Sequence, residues 1–266
     1  MAMINFKLKE LDKISPWGQE PELSLHWFGL TDGDLWLTFG NETIYEYTKE
    51  AIDLWGNQSP YNDYPLSRFI EDFTELFDKI REPIPEAFYD LSTDLKKFQS
   101  RTKKWLEKHY TDKDNGNDFY FDVYDTLISW VHARTLSSSH LNYGPQLSFF
   151  RYNNKVRVVW DTEHRLKNGT PVWTAKSGSV EMEYTGFVQK IKSFGQSFFA
   201  EMGEQIRLAV EKDWGKVELD KQWLVEEHEG RIDEFYFSLA LLEQEAEYRT
   251  DWAGIKKLFD RMTNEI

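Results

Sequence analysis

The sequence predicts an α+β fold in which an antiparallel sheet packs against helices and the C-terminal third is helical. Segments with apolar residues at every second position occur near the N-terminus and in the middle of the chain. Segments with apolar residues at helical spacing lie between them and fill the last third. Because the two kinds of segment come in blocks and do not alternate strictly, they favour α+β over a doubly wound α/β fold.

The N-terminal strands are predicted from apolar alternation and from turn residues. Residues 4–8 alternate in polarity, and residues 23–28 form a second candidate strand. The dipeptide Asp32-Gly33 is typical of a hairpin turn, and alternation resumes at 35–39 and 43–47. These features indicate a small antiparallel meander.

The next block predicts helices. Residues 66–80 carry an apolar stripe at 3.6-residue spacing, with Pro65 near the first helical position and Asp63 as the expected N-terminal cap. Two further helices are expected at 91–109 and 120–131, with a loop at 111–118 between them.

The middle of the chain predicts two hairpins. One joins residues 146–152 and 155–160 through Asn153-Asn154, which suits a two-residue turn. The other joins residues 171–175 and 179–184. Both would extend the antiparallel part of the fold.

The C-terminal third predicts three helices. The first runs from a cap at Thr185 to about residue 209. The second covers 219–242, where Gly230 interrupts the pattern and Trp223 counts as part of the apolar stripe. A short helix at 252–259, capped by Thr250 or Asp251, ends the pattern.

Length and composition bound the class of protein. The chain has 266 residues and 31.7 kDa, which suits a single domain over 1–266, with a possible subdivision into 1–136 and 137–266. No cysteine is present, so disulfides, cysteine-based zinc sites and thiol nucleophiles are excluded. We expect a cytoplasmic location, because no signal-peptide pattern and no apolar run of about 20 residues occurs.

The charge is strongly uneven along the chain. The net charge is −14, and residues 42–94 hold 13 acidic and 4 basic residues, which is −9. Residues 201–247 hold 14 acidic and 5 basic residues, again −9, whereas residues 95–113 are basic, at +5. The acidic segments are either solvated helix faces or one surface that attracts a basic partner. The basic segment either contacts nucleic acid or pairs with the acidic helices, and the overall sign favours pairing.

Sequence motifs for catalysis and cofactor binding are absent. The chain has no glycine-rich dinucleotide fingerprint, no phosphate-binding loop, no Gly-x-Ser-x-Gly and no His-Glu-x-x-His. No two histidines lie three or four residues apart, so we expect neither a metal nor a cofactor. Two segments, 161–164 and 226–229, place carboxylates beside His164 and His228, which is the pairing that general acid–base chemistry uses. In so acidic a chain, a surface histidine is the simpler interpretation.

Many tryptophans lie in or near the predicted strands. A sugar or nucleobase platform would use exposed rings, whereas a core would bury them, and we favour the core. The residues concerned are Trp17, Trp27, Trp36, Trp55, Trp160 and Trp173.

Two segments stand out as signatures. One is the run from Leu25 to Gly33, which contains Trp-Phe-Gly-Leu-Thr-Asp-Gly, and the other is Pro-Tyr-Asn-Asp-Tyr at residues 60–64. Together they resemble a bacterial family of unknown function, and weaker similarities extend over most of the chain. The resemblance implies no activity. If the signatures also form a pocket, its polar groups would come from His26, Asp32, Tyr61, Asp63 and Arg68.

Three functions remain open at this level. The first is an acidic cytoplasmic interaction protein of the immunity type, which neutralises a basic toxin by surface complementarity. It implies a basic protein partner, disfavours nucleic acid and membranes, and leaves a homo-oligomer open. The second is a hydrolase-like enzyme, which requires His26, Asp32, Asp63 and Arg68 to converge on a cleft, with His228 as a further candidate. The third is a sugar- or nucleobase-binding module, which requires a row of exposed tryptophans.

Overall fold

A computed structural model describes residues 2–57, 59–110 and 119–265. Within this part of the chain, the first antiparallel sheet has β2 at its centre. β1 pairs with one edge of β2, with Ile4 opposite Leu37, and β3 and β4 pair with the other edge. The strands are β1 (Ile4–Leu8), β2 (Gly33–Phe39), β3 (Glu42–Ile44) and β4 (Asn62–Asp63).

The second sheet is an antiparallel meander in chain order. Its hairpin at Asn153-Asn154 is confirmed, and Asn153 adopts the left-handed φ of 51° that such tight turns require. The strands are β5 (Thr135–Ser137), β6 (Gln146–Tyr152), β7 (Lys155–Asp161) and β8 (Gly178–Glu183).

Helices surround the two sheets, so the α+β class and the helical C-terminal third are confirmed. The helices before the second sheet are α1 (Trp27–Leu30), α2 (Lys49–Trp55), α3 (Leu66–Thr74), α4 (Phe77–Arg81), α5 (Glu86–Leu91), α6 (Leu95–His109) and α7 (Phe119–His132). Those after it are α8 (Tyr184–Glu211), α9 (Lys221–Glu243) and α10 (Trp252–Glu265). The predicted loop at 111–118 lies outside the described residues.

Some predicted strands are wrong. The candidate strand at 23–28 contributes two isolated bridges at Ser24, to Trp17 and to Glu218, and the chain turns into α1, where His26 caps the amide of Gly29. Asp32-Gly33 therefore forms no hairpin, and Gly33 begins β2 instead. Residues 171–175 make isolated bridges to other segments, so β8 pairs with β7 in place of the predicted hairpin partner.

Some predicted helix boundaries are wrong as well. Asp63 lies in β4 and does not cap α3, whose first position follows Pro65. Thr185 lies inside α8, which Glu183 precedes without a side-chain cap. The helix expected at 66–80 is divided into α3 and α4, and the one expected at 91–109 begins as α6 behind the Asp94 cap. Gly230 does not interrupt α9, which runs continuously from the Asp220 cap.

The core draws on both halves of the chain. Among the described residues, the largest apolar cluster joins both sheets to α3, α8 and α9, and smaller clusters lie around α5–α7 and α10. The division at residues 136 and 137 stays a prediction. A buried ion pair joins the end of α4 to the start of the second sheet: Arg134 donates to Glu82 at 3.0 Å, with side-chain exposures of 1% and 0%.

No helix in the described part of the chain combines the length and the apolar character that crossing a bilayer requires.

Candidate functional site

The two acidic segments meet where α9 packs against α3 and α4. Between α3, α9 and α1 lies a cavity of about 220 Å³. Its apolar wall is formed by Trp27, Ile70, Phe199 and Phe235. Its polar rim is formed by Ser67, Glu71, Thr74, Glu75, Arg231 and Glu234. Residues more than 130 positions apart in sequence thus form one acidic rim over an apolar floor.

Arg231 is the cation of this rim. Its Nη1 lies 2.5 Å from Glu71 Oε1 and 4.0 Å from Glu234, and its Nη2 lies 3.4 Å from Glu227. The guanidinium also stands 5.2 Å from the centroid of the Trp27 ring. One cation shared by three carboxylates leaves the rim with excess negative charge, which is exposed to solvent on one side.

Trp27 fixes the floor of the cavity. The ring is 2% exposed, and its Nε1 donates a hydrogen bond to Nδ1 of His228 on α9 at 3.3 Å. A histidine protonated on both nitrogens cannot accept this bond. Burial lowers the pKa of His228, although the neighbouring charge of Glu229 opposes the shift. The neutral imidazole therefore links the first signature segment to α9.

Two of the predicted site residues, Asp32 and Asp63, both pair with Lys9, which the sequence did not single out. Lys9 Nζ lies 3.0 Å from Asp32 Oδ2 and 2.7 Å from Asp63 Oδ1. Burial favours the neutral amine, but the hydrogen bonds to Asp63 and Asp32 prevail and raise the pKa of Lys9. The shared ammonium joins the two signature segments at the end of β1 and balances one of the two carboxylate charges.

The other predicted residues have separate partners. His26 Nδ1 accepts a hydrogen bond from the Gly29 amide at 3.3 Å, and Arg68 Nε donates to Asp72 at 3.0 Å. Neither side chain has a hydrogen bond or an ion pair with the Lys9 cluster in the described structure. The ring of Tyr61 stacks on Trp36, with centroids 4.3 Å apart.

The remaining histidine segment, 161–164, is also held by local contacts. Asp161 Oδ1 accepts from the amide of Glu163 and from the hydroxyl of Ser177. The ring of His164 lies 6.1 Å from that of Tyr143. Asp161 therefore holds a turn, and Glu163, which directly precedes His164, pairs with Lys96 of α6.

The tryptophans of the strand regions are divided between core and surface. Trp27, Trp160 and Trp173 are buried, as the core interpretation predicts, and Trp36 and Trp55 are partly buried. Trp17 is 46% exposed and meets the rings of His26 and Phe28 edge-on at 5.0 and 5.5 Å. These six rings do not form an exposed row.

The described part of the basic segment, residues 95–110, makes its contacts away from the acidic rim. Helix α6 packs against α7 and α10. Its lysines contact other parts of the protein: Lys96 pairs with Glu163, and Lys108 donates to the carbonyl of Glu265 at 2.6 Å. The expected pairing with the acidic helices α3 and α9 is not found among the described residues of this segment.

Sequence reasoning had named part of the rim. Glu227 lies in the histidine segment 226–229, and Arg231 follows it at i,i+4 spacing in the sequence. Glu71 and Trp27 were not connected with them, because only tertiary packing brings α1 and α3 to α9. Lys9 gave no local signal, since a lysine at the end of an alternating strand is ordinary.

The fold and the rim together define an α+β protein with an acidic surface that joins α3 and α9. The chain belongs to a family of unknown function, DUF5984, whose profile matches residues 3–258. The resemblance predicted from the two signature segments is thereby confirmed at the level of the family. No curated protein and no solved structure matches the chain significantly.

Proposed function

We propose that the protein binds a basic protein partner through the acidic rim between α3 and α9, in the cytoplasm, and acts as an immunity-type inhibitor of a basic toxin. The observation that carries the proposal is that the two acidic segments meet at Arg231, with Glu71 and Glu75 from one segment and Glu227 and Glu234 from the other around it. An unbalanced surface of one sign accelerates the encounter with a partner of the opposite sign and disfavours wrong partners.

The cavity beneath the rim supports this proposal. A lysine or arginine side chain of a partner could place its aliphatic part on Trp27 and Phe199 and its charge among Glu71, Glu75 and Glu234. Cation–π contact with Trp27 already holds Arg231 in that environment. The rim thus has the chemistry to accept a further cation.

The enzyme hypothesis receives less support from the geometry. A hydrolase site requires a base and a nucleophile or water within reach of one another. Instead, Asp32 and Asp63 share the Lys9 ammonium, and His26 uses Nδ1 to cap α1. These groups already have structural partners.

The test is affinity capture from cells that encode the protein, followed by measured binding of each captured partner at low and high salt. The rim variant carries Glu71→Gln, Glu75→Gln and Glu234→Gln. The matched control carries Asp53→Asn, Glu86→Gln and Asp90→Asn, which remove the same charge from exposed positions on α2 and α5. We expect the control to bind a basic partner as the native chain does and the rim variant to bind at least about tenfold more weakly, with a smaller salt dependence. Equal binding by both variants would contradict the proposal.

A further inference from the structure

Helix α9 exposes a stripe of three residues seven positions apart. The side chains of Trp223 and Phe237 are 60% and 75% exposed, and Gly230 lies midway between them. Seven residues are close to two helical turns, so all three positions share one face over about 21 Å of helix. The opposite face carries the buried Leu224 and Leu239. The stripe is therefore a solvent-facing side of a firmly packed helix.

Gly230 leaves the backbone open at the centre of this stripe. Among the described residues, nothing lies within 4 Å of where a Cβ would stand. A glycine in the interior of a helix costs roughly 0.5–1 kcal/mol relative to alanine. Neither packing nor a turn in α9 explains this cost, whereas Gly195 on α8 lies directly against Phe235. Small residues at a crossing point allow two helices to approach closely, and Gly230 provides such a point.

The charged side chains beside the stripe are acidic. Glu226, Glu229, Asp233 and Glu234 are exposed on either side of the line from Trp223 to Phe237. The basic residues of α9 are engaged elsewhere: Lys221 Nζ donates to the carbonyl of Val210, and Arg231 pairs with Glu71. An apolar contact at each end with carboxylates between them is complementary to an amphipathic helix with basic flanks.

We propose that α9 binds a basic amphipathic helix of the partner, which crosses it at Gly230 and contacts Trp223 and Phe237 with its apolar side chains. This inference rests on the proposed function and specifies how the partner docks. Exposed aromatic side chains are the usual energetic anchors of protein interfaces. A second copy of this chain fits less well, because antiparallel pairing of two α9 helices about Gly230 would bring the acidic residues of both copies together.

The probe for this proposal is a fluorescently labelled peptide of about 18 leucine and lysine residues with helical amphipathic spacing. Its binding is measured by fluorescence anisotropy at low ionic strength. A peptide of the same composition in scrambled order has the same charge without an apolar face. We expect the amphipathic peptide to bind at least about fivefold more tightly than the scrambled one.

Three variants test the stripe itself. We expect Trp223→Ala and Phe237→Ala each to weaken binding of the amphipathic peptide at least about fivefold, and Gly230→Gln to weaken it similarly by blocking the close approach. Leu54→Ala removes an equally exposed apolar side chain, 64% exposed on α2, and should leave binding unchanged. All these positions are exposed, so we expect the variants to fold, and far-ultraviolet circular dichroism checks that they do.

The failures of the two proposals are distinguishable. If the rim variant with Gln at 71, 75 and 234 loses peptide binding but the stripe variants do not, the acidic rim binds basic partners and the helix-docking proposal is overturned. If the two peptides bind equally, charge alone acts and helix docking is again overturned. If sedimentation shows that the chain alone dimerises and Trp223→Ala abolishes the dimer, the occupant is a second copy. Weaker binding by the stripe variants and by the rim variant, with a monomeric chain, supports both proposals. Weaker binding by the stripe variants alone supports helix docking and contradicts the role of the rim.

Discussion

Two arginine centres, Arg134 in the turn between α7 and β5 and Arg231 on α9, use the same chemistry in different surroundings. Arg134 is 1% exposed and donates to Glu82, whose carboxylate also accepts the amides of Arg249 and Thr250 at 2.8 and 2.7 Å. Arg231 is 29% exposed and is shared by three carboxylates at 2.5, 3.4 and 4.0 Å. The first centre is dry and balanced, whereas the second is open and carries excess negative charge.

Burial is the main difference between these two ion-pair centres. A buried charge without its partner is costly, so the pair at Glu82 fixes the position of the segment that precedes α10. Burial opposes ionisation of Glu82, but the hydrogen bonds from Thr250 and Arg249 hold the pKa of its carboxyl below the usual range. At the α3–α9 rim, water screens the charges, and the same kind of contact contributes little to stability.

The largest effect is expected at the buried centre. Glu82→Ala leaves the Arg134 guanidinium buried without a carboxylate and removes the acceptor of two backbone amides. We expect the free energy of unfolding to fall by about 3–5 kcal/mol, measured by urea denaturation. Glu86→Ala, at an exposed position, is the control and should change it by less than about 0.5 kcal/mol. Similar losses for both variants would mean that the buried pair is not structural.

The next effect is expected where α8 supports α9 beneath the rim. A Cβ at Gly195 would stand 2.2 Å from Cε1 of Phe235, so Gly195→Ala forces the two helices apart. We expect a loss of about 1–3 kcal/mol in the free energy of unfolding, as overpacking usually costs. The control is Gly230→Ala on the open face of α9, which should instead stabilise the protein by about 0.5–1 kcal/mol. If Gly195→Ala and Gly230→Ala changed the free energy of unfolding in the same direction, the close packing of α8 on α9 at Gly195 would be contradicted.

Much of this fold could be predicted from local patterns. Alternation located β1, β2 and the hairpin at Asn153-Asn154, and helical spacing located α7, α8 and α9, because each of these elements buries one face. The exceptions depended on tertiary contacts. Residues 23–28 have strand-like polarity, yet their backbone makes isolated bridges to Trp17 and Glu218 in place of a ladder, and the chain turns into α1. The short helix α2 lacks a long apolar stripe and gave no clear signal.

The candidate site was predictable only in part. The charge map located both acidic segments, since it depends on composition alone. It could not show that α3 and α9 meet, because residues 71 and 231 are joined only by packing. Trp223 was assigned to the apolar stripe of its helix, yet it is 60% exposed, since spacing alone does not fix the rotation of α9 on the core.

A smaller effect concerns the pH dependence of the link between α1 and α9. Burial lowers the pKa of His228 from its ordinary 6.5, so the unfolded chain binds a proton more readily than the folded one. Neutral His228 therefore contributes its full stabilisation to the free energy of unfolding above about pH 6.5, and this stabilisation is lost as the pH falls below that value. His228→Gln keeps an acceptor for Trp27 but does not titrate.

The measurement is the free energy of unfolding of the native chain and of His228→Gln above pH 6.5 and about one unit below it. We expect the native chain to lose more stability on acidification, up to about 1 kcal/mol, the net contribution of one hydrogen bond. His140, whose pKa burial also lowers, is present in both proteins and cancels in the comparison. Parallel pH profiles would show that the bond between Trp27 and His228 does not respond to protonation.

The smallest effect on stability should come from the open centre, where stability and binding are expected to change in opposite directions. Arg231→Gln removes the cation that Glu71, Glu227 and Glu234 share. We expect a loss of about 0.5–1 kcal/mol in the free energy of unfolding at low salt, and less at high salt, because the pairs are partly exposed.

The same substitution makes the rim more acidic, so the basic amphipathic peptide should bind more tightly, as measured by fluorescence anisotropy at low ionic strength. Arg207→Gln, which makes the same charge change on the exposed side of α8, should leave peptide binding unchanged. If Arg231→Gln instead destabilised the protein as strongly as Glu82→Ala, the α3–α9 rim would be a structural centre like that of Arg134, and its excess charge would lose its significance for recognition.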